Sequence, residues 1–162
     1  MITTRTGTDT LRITDASSAD ADAVDAALAA SGDPHAFERL YRRHVNRIHN
    51  LVRRMLGEDA EDVTQEVLVR AWQKIGTFRG EAAFGTWLHR ITVNACYDML
   101  RKRQREPEPS ETPEVEDPVA DPADTAAAVA DVQAALLTVP PEFRAVLILC
   151  DVEDLPYDAV AE

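Results

Sequence analysis

The sequence predicts an all-α protein: two small helical domains joined by an acidic, proline-rich linker. Apolar residues recur at helical spacing on both sides of residues 106–124. That stretch holds five prolines and eight acids without one basic residue, so it is expected to be extended and flexible. We therefore expect a disordered tail over 1–18, a first domain over 19–105, the linker, and a second domain over 125–162.

Four helices are predicted in the first domain. Gly32 suits the left-handed end of a short Ala-rich helix, and Asp33 and Pro34 suit the start of the next one. Gly57 ends that second helix, and Asp59 is expected to cap the third. The predicted helices cover about 20–30, 34–56, 59–75 and 84–103. The inner face of the third is expected to hold Val63, Val67, Leu68, Ala71, Trp72 and Ile75.

Charge is distributed unevenly along the chain, although the net charge is −12. Residues 34–105 contain 14 Lys or Arg against 8 Asp or Glu, whereas the remainder contains 3 basic and 21 acidic residues. Such a basic block is either a solvated face or the contact surface for a nucleic acid.

The third helix carries Asp62 and Glu66 four residues apart on one outward arc, which Gln73 shares and which has Arg70 and Lys74 next to it. Like charges at that spacing weaken a helix by a few tenths of a kcal/mol. The dipole at the helix N-terminus and a Glu66–Arg70 pair would offset this cost. A basic partner that meets the two acids is the other explanation.

The fourth helix has a polar arc that combines Arg90 and Arg101 with Asn94 and Tyr97, and Trp87 lies at its edge. Arginines neutralise phosphates, amides bond base edges, and aromatic rings stack on unpaired bases. The preceding loop, TFRGEAAF, is either a helix connection with two core aromatics or a pocket for a flipped base. The arc itself is either a solvated face or a nucleic-acid surface.

No catalytic or metal-binding pattern is present, so we predict a protein that is not an enzyme and that uses no metal or cofactor. The four histidines lack ligand spacing, and no glycine-rich phosphate loop occurs. Cys96 lies among apolar residues as a small core side chain. The sequence lacks a secretory signal and a membrane-spanning run, so we expect a cytoplasmic protein without membrane contact of its own.

Residues 59–105, DAEDVTQEVLVRAWQKIGTFRGEAAFGTWLHRITVNACYDMLRKRQR, resemble the core-binding and promoter-melting region of bacterial RNA polymerase sigma factors. The resemblance is closest to the extracytoplasmic-function (ECF) group. Residues 33–57 resemble the preceding helix, and 135–162 the start of the C-terminal promoter-reading domain. The resemblance implies a sigma factor that binds core RNA polymerase and directs promoter recognition and opening.

The same resemblance implies roles for individual residues. Asp62, Gln65 and Glu66 match positions that dock on a basic coiled coil of the polymerase largest subunit. The loop 78–84 matches the segment that captures a base flipped from the minus-ten element, and the polar arc matches the helix that lies along that element. The acidic linker matches the segment that threads the polymerase interior toward the RNA exit path. The DNA-binding residues implied in this way are Phe78, Arg79, Gly80, Phe84, Trp87, Arg90, Asn94, Tyr97 and Arg101.

The sequence stops at Glu162, on what resembles the first helix of the helix-turn-helix, without the recognition helix. We therefore expect a C-terminally truncated sigma factor and assign no minus-thirty-five recognition to these residues. The family also implies an anti-sigma factor as a partner. The competing hypothesis is a helical protein-interaction module that binds polymerase or another basic partner without opening DNA. The arc 90–101 separates the two, because a pure protein binder does not need it.

Overall fold

The computed structural model describes residues 9–106 and 124–152, together with Leu155 and Val160. Side chains are described for residues 17–106 and 127–150 and for those two. Over this part of the chain the structure is all-α, as predicted, and it contains no strand. Its elements are α1 (Asp9–Ala30), α2 (Pro34–Leu56), α3 (Ala60–Lys74), a 3₁₀ turn (Ile75–Thr77), α4 (Phe84–Arg105), α5 (Asp124–Thr138), α6 (Pro141–Leu147) and a π-helical turn (Ile148–Val152).

The predicted limits of α2 are confirmed together with their chemistry. The Asp33 side chain accepts a hydrogen bond of 2.9 Å from the His35 backbone N–H, and Pro34 occupies the first turn. At the other end Gly57 adopts φ 76°, and its N–H donates to the Arg53 carbonyl.

Three expectations about the first domain are wrong. Helix α1 begins at Asp9, so residues 9–18 are helical where we expected a disordered tail; no Gly or Pro occurs between Thr8 and Ser31 to end the helix earlier. Asp59 makes no cap hydrogen bond, because it has a left-handed backbone (φ 61°) and its side chain bonds Arg103 instead. Trp72 is 40% exposed and contacts the Phe37 ring edge to face rather than lying in the core.

Helix α2 is central and packs against α1, α3 and α4. Because α2 is enclosed on three sides, its buried residues occupy a wide stripe. They are Ala36, Leu40, His44, Ile48, Leu51, Val52, Met55 and Leu56. The inward residues of α3 and α4 complete this core.

Charged side chains join α1 to the N-terminal half of α2. The buried Asp22 carboxylate accepts hydrogen bonds from Arg43 Nε at 2.8 Å and from His44 Nε2 at 2.7 Å. Asp25 accepts bonds from Arg39 Nη2 at 2.6 Å and from Arg43 Nη2 at 2.5 Å. This network fixes the register of α1 on α2.

The C-terminal helices lie against the first domain rather than apart from it. Helices α5 and α6 both contact α2, and Ala145, Ile148 and Leu149 are buried in the same hydrophobic cluster as the first domain. Most of the predicted linker (residues 107–123) lies outside the described residues, and so do most of residues 153–162 at the end of the predicted second domain. Among the described helices, none is both long enough and apolar enough to cross a bilayer.

Candidate docking surface and nucleic-acid interface

The acidic face of α3, which we define as Asp62, Gln65 and Glu66, lies on the solvent side of the helix. It is opposite the buried residues Val63 and Val67, as the helical period requires. Asp62 lies in the first turn, where the helix dipole favours a carboxylate. The face therefore presents two acids and an amide on a rigid helix.

Glu66 is joined to α4 through a chain of ion pairs. The Arg70 guanidinium donates to the Glu66 carboxylate at 2.5 Å, which confirms the predicted i, i+4 pair, and to Asp98 of α4 at 2.8 Å. Hydrogen bonding to Asp98, and then to Glu66, raises the pKa of Arg70. These side chains are partly exposed, so each pair contributes about 0–1 kcal/mol to stability. A basic partner of Glu66 would compete only with this weak contact.

An aromatic cluster lies where the 78–83 loop meets the start of α4. The ring centroids of Phe78, Phe84 and Trp87 are 5.5 to 5.6 Å from one another. Phe84 is only 4% exposed and forms the floor, with the His44 ring against its edge, whereas Phe78 and Trp87 are half-buried. Phe84 therefore supports the cluster, and the other two rings have surface left for a stacking partner.

The two remaining predicted loop residues, Arg79 and Gly80, are exposed beside this cluster. Gly80 has φ 74°, and a Cβ atom added there would meet nothing within 4 Å. The glycine is thus explained by backbone conformation.

The polar arc of α4, which we define as Trp87, Arg90, Asn94, Tyr97 and Arg101, follows alternating steps of three and four residues along one side of the helix. Arg90, Asn94 and Arg101 are exposed, and Tyr97 is half-buried. Burial raises the pKa of Tyr97, with a smaller contribution from the charge of Glu142, so its hydroxyl is a neutral donor near pH 7. At 1.5 Å per residue the arc is about 21 Å long, which matches about six stacked nucleotides at 3.4 Å each.

The structure adds neighbours to the arc that the sequence did not suggest. Leu149, Leu155 and Val160, all from beyond the predicted linker, line a cavity of about 210 Å³ with five residues of α4. Those five are Thr86, His89, Arg90, Val93 and Asn94. Arg144, which is buried against α2, is another residue that the sequence analysis did not single out. It is the only basic residue after Arg105, and that isolation in an apolar helix is the one sequence signal that marks it.

Neither surface carries groups for covalent chemistry. Burial raises the pKa of the Cys96 thiol to about 12, which keeps it protonated and confirms it as a core side chain. Within the described ranges, no group of three His, Cys, Asp or Glu residues could hold a metal ion.

Comparison with known proteins gives consistent matches. The family model described as Sigma-70 region 2 matches residues 40–106. The ECF RNA polymerase sigma factor SigM of Mycobacterium tuberculosis H37Rv is 40% identical over 136 residues, which cover 82% of this chain and 67% of that protein. The ECF sigma factor SigE of Mycolicibacterium smegmatis is 39% identical over 142 residues, or 81% of this chain and 55% of that protein. The chain thus spans between about half and two thirds of the length of these relatives.

Three solved structures are also similar. CnrH, in complex with the cytosolic domain of CnrY, has a TM-score of 0.64 and 26% identity and covers 87% of this chain and 80% of that one. The sigma factor RpoE, in complex with the anti-sigma factor NepR from Bartonella quintana, has a TM-score of 0.63 and 25% identity over 77% of this chain and 80% of that one. An engineered region 2 of sigmaE, in complex with GTAAAA, has a TM-score of 0.50 and 33% identity over 52% of this chain and 90% of that one.

Proposed function

Because this chain belongs to the ECF family of RNA polymerase sigma factors, we propose that it binds core RNA polymerase and directs promoter recognition and opening. The observation that carries the proposal is the separation of two surfaces on one rigid core. The acidic face of α3 would suit a basic protein partner, and the polar arc of α4 with its aromatic cluster would suit a nucleic-acid strand.

The acidic face is proposed to dock on the basic coiled coil of the polymerase largest subunit. Asp62, Gln65 and Glu66 are exposed together, and among the described residues Asp62 has no ion-pair partner. Keeping a carboxylate unpaired on a helix surface favours rapid and selective association with a positive partner.

The aromatic cluster and the arc are proposed to hold the minus-ten element as a single strand. Phe78 and Trp87 offer ring faces to an unstacked base, and Phe84 positions them from below. Arg79, beside Gly80, and the arc cations Arg90 and Arg101 meet the phosphates. Unstacking a base costs a few kcal/mol, which stacking on aromatic rings at about 1–3 kcal/mol per base and phosphate contacts would offset. The relative bound to GTAAAA supports this role.

An anti-sigma factor is proposed as a further partner, since the RpoE relative forms a complex with one. We propose no minus-thirty-five recognition for the residues described here. Action in the cytoplasm, where polymerase is found, follows from the same family membership.

The docking proposal is tested by measuring the affinity for purified core polymerase of the wild-type chain and of Asp62→Arg/Glu66→Arg. We expect the reversal to weaken binding at least about tenfold, or 1.4 kcal/mol. The matched control is Glu58→Arg/Glu61→Arg, which changes the charge equally at exposed positions near the same helix start. Equal loss in both variants, or no loss in the first while it remains helical by circular dichroism, would refute docking through the acidic face.

The strand-binding proposal is tested with a single-stranded oligonucleotide that contains GTAAAA, in the presence of core polymerase. Each phosphate contact to a single strand contributes about 0.7 to the slope of log K against log salt, so Arg90→Ala/Arg101→Ala should reduce that slope by about 1.4. The control, Arg42→Ala/Lys74→Ala, removes two exposed cations away from the arc. A slope unchanged by the arc variant would favour the protein-interaction module that leaves DNA closed.

A further inference from the structure

The imidazole of His44 connects α1 to the aromatic cluster at the start of α4. Its Nε2 atom shares a hydrogen bond of 2.7 Å with the carboxylate of Asp22 on α1. The same ring packs edge to face against Phe84, with ring centroids 5.3 Å apart and planes at 60°. A Cβ atom added to Gly85 would lie 3.7 Å from His44 Cε1, so the α4 backbone is also close to the ring. His44 therefore contacts both α1 and the first turn of α4.

Phe84 carries this contact on to the two rings that have exposed surface. It is 4% exposed, and the centroid of its ring lies 5.6 Å from that of Phe78 and 5.5 Å from that of Trp87. Rings packed this closely cannot shift independently, because a protein interior has few voids that one side chain could enter alone. The orientation of Phe78 and Trp87 thus depends on Phe84, and that of Phe84 depends in part on His44.

Packing by itself does not fix the His44 ring. The ring borders a cavity of about 370 Å³, which Asp22 and Phe84 also line and which extends to Ser18 and Arg47. A side chain beside a cavity of this size has room for another rotamer unless a polar contact holds it in place. The hydrogen bond to the Asp22 carboxylate, an ionised acceptor, is such a contact.

Asp22 is itself held in place by Arg43 of α2. Its other carboxylate oxygen accepts a hydrogen bond from Arg43 Nε at 2.8 Å, so both of its oxygens are bonded. Asp25, three residues along α1, is a useful contrast: its hydrogen bonds go to Arg39 and Arg43. Both acids therefore join α1 to α2, but Asp22 is the one bonded to the ring of His44.

We propose that Asp22 and His44 are positioning residues for base capture. Their hydrogen bond fixes the imidazole on Phe84, and Phe84 holds Phe78 and Trp87 in the orientation that stacks on an unpaired base. The positioning stands on the contacts alone, whereas its effect on a base rests on the proposed function. Asp22 lies outside residues 40–106, so the site extends to a helix that the Sigma-70 region 2 model does not match.

The positioning is tested first without DNA, through the fluorescence of Trp87. The chain has two tryptophans, so Trp72→Phe leaves Trp87 as the only one. In this background we expect Asp22→Ala to shift the Trp87 emission to the red and to increase its quenching by acrylamide, because the cluster loosens. The matched control is Asp25→Ala, which also removes a carboxylate between α1 and α2 and should leave both signals unchanged.

His44→Gln separates the ring from the hydrogen bond. Glutamine keeps a donor for Asp22 but has no ring to place against Phe84, so the Trp87 signals should change as in Asp22→Ala. Because α1 also contacts α4 directly, equal changes in Asp22→Ala and Asp25→Ala would mean that any loosening of α1 moves the cluster, which would overturn the proposal. Unchanged signals in Asp22→Ala and His44→Gln, with both still helical by circular dichroism, would overturn it as well.

The effect on the base is then measured with a labelled single strand that contains GTAAAA, in the presence of core polymerase and in the otherwise unchanged chain. Asp22→Ala and His44→Gln should weaken strand binding about tenfold, as expected when the stacking of one base is partly lost. The slope of log K against log salt should stay the same, since Arg90 and Arg101 still meet the phosphates. A reduced slope would place the loss at the phosphates and contradict a role in stacking.

The two measurements fail separately. Unchanged strand affinity in a variant that shifts the Trp87 emission would overturn the role in base capture. If the wild-type chain does not bind the strand even with core polymerase, the proposed strand binding itself fails, and the Trp87 signals still decide whether Asp22 and His44 position the cluster.

Discussion

The two ends of α2 are held by different kinds of electrostatic contact. Near its start, cationic side chains of α2 meet the carboxylates of Asp22 and Asp25 on α1. At its end the cations come from other helices instead. Arg103 of α4 and Arg144 of α6 donate hydrogen bonds to backbone carbonyls of α2 and of the loop that follows it. One end depends on groups that titrate, and the other on groups that do not.

This difference bears on what each end can do. A buried ion pair becomes strongly unfavourable when one partner is lost, so the α1–α2 contact is suited to permanent structure. Removing a guanidinium from backbone carbonyls leaves no uncompensated charge behind, because its partners are neutral. A substitution at the C-terminal end of α2 should therefore cost less stability than one in the α1–α2 network.

Asp22→Ala should give the largest effect, because it leaves Arg43 and the buried His44 without their shared acceptor. We expect the free energy of unfolding to fall by about 3 kcal/mol, as for other broken buried pairs. Urea unfolding followed by circular dichroism measures it. Asp20→Ala, at an exposed position two residues away, should change stability by less than about 0.5 kcal/mol. Similar losses in both would contradict a specific role for Asp22.

Low pH should weaken the contact between α1 and the start of α2, but not the arginine–carbonyl contacts at the end of α2. Although burial alone would raise the pKa of Asp22, hydrogen bonds and charges from His44 and Arg43 outweigh it, and the folded-state pKa lies below 3.8. Hydrogen bonds from Arg39 lower that of Asp25 as well. A lowered carboxyl pKa stabilises the fold above the unfolded-state value, and that contribution is lost as pH falls through the folded-state value.

The resulting loss of stability should occur below about pH 4. Asp22→Ala should show a shallower decline over that range, since it no longer has the carboxyl that must be protonated. Energy transfer across the α2–α5 contact is measured between dyes on Asn50→Cys and Ala134→Cys, two exposed positions, in a Cys150→Ser chain that keeps only the buried Cys96. At every pH above the acid unfolding transition it should stay constant, because arginine and backbone carbonyls do not titrate there. A decline of equal slope in wild type and variant would show that other carboxyls control acid unfolding.

The difference between the two ends also shows what the sequence could predict. The limits of α2 followed from Asp33, Pro34 and Gly57, because caps and breakers act within a few residues. The exposure of Asp62 and Glu66 followed from helical period alone. Local chemistry and periodicity thus account for four helices and for one face of the candidate site.

Contacts across long sequence distances were beyond such reasoning. Arg144 bonds a backbone carbonyl 89 positions away. Arg103 bonds the side chain of Asp59, 44 positions away, which was expected to cap α3 instead. The resemblance to sigma factors placed Phe84 among DNA-binding residues, but the packing of His44 and Trp87 around it could not be inferred from the residue type. A periodic pattern shows which side chains turn inward without showing what they meet.

Gly57→Ala tests the contact between α5 and the C-terminal end of α2. Both Gly57 and Gly80 have left-handed backbones, at φ 76° and 74°, so alanine at either should cost about 1–2 kcal/mol. Only at Gly57 does the added methyl meet Leu137, at 3.2 Å, whereas Gly80 faces open space. We therefore expect Gly57→Ala to reduce energy transfer between α2 and α5 while Gly80→Ala leaves it unchanged. Equal transfer in the two variants would mean that Leu137 is not seated on Gly57.

Arg103→Ala should give the smallest effect, although it removes an arginine from the same end of α2. Its bond to Asp59, at 2.7 Å, joins two partly exposed side chains, and its contacts with the Leu56 and Glu58 carbonyls are long, at 3.4 and 3.5 Å. We expect a loss of about 0.5–1 kcal/mol in urea unfolding, with energy transfer between α2 and α5 unaffected. Arg144→Ala, by contrast, should alter that transfer, because its carbonyl partners belong to both α2 and α5. Were Arg103→Ala to lower the transfer as well, the contact of α5 with α2 would depend on the general positive charge near the end of α2 and not on the bonds of Arg144.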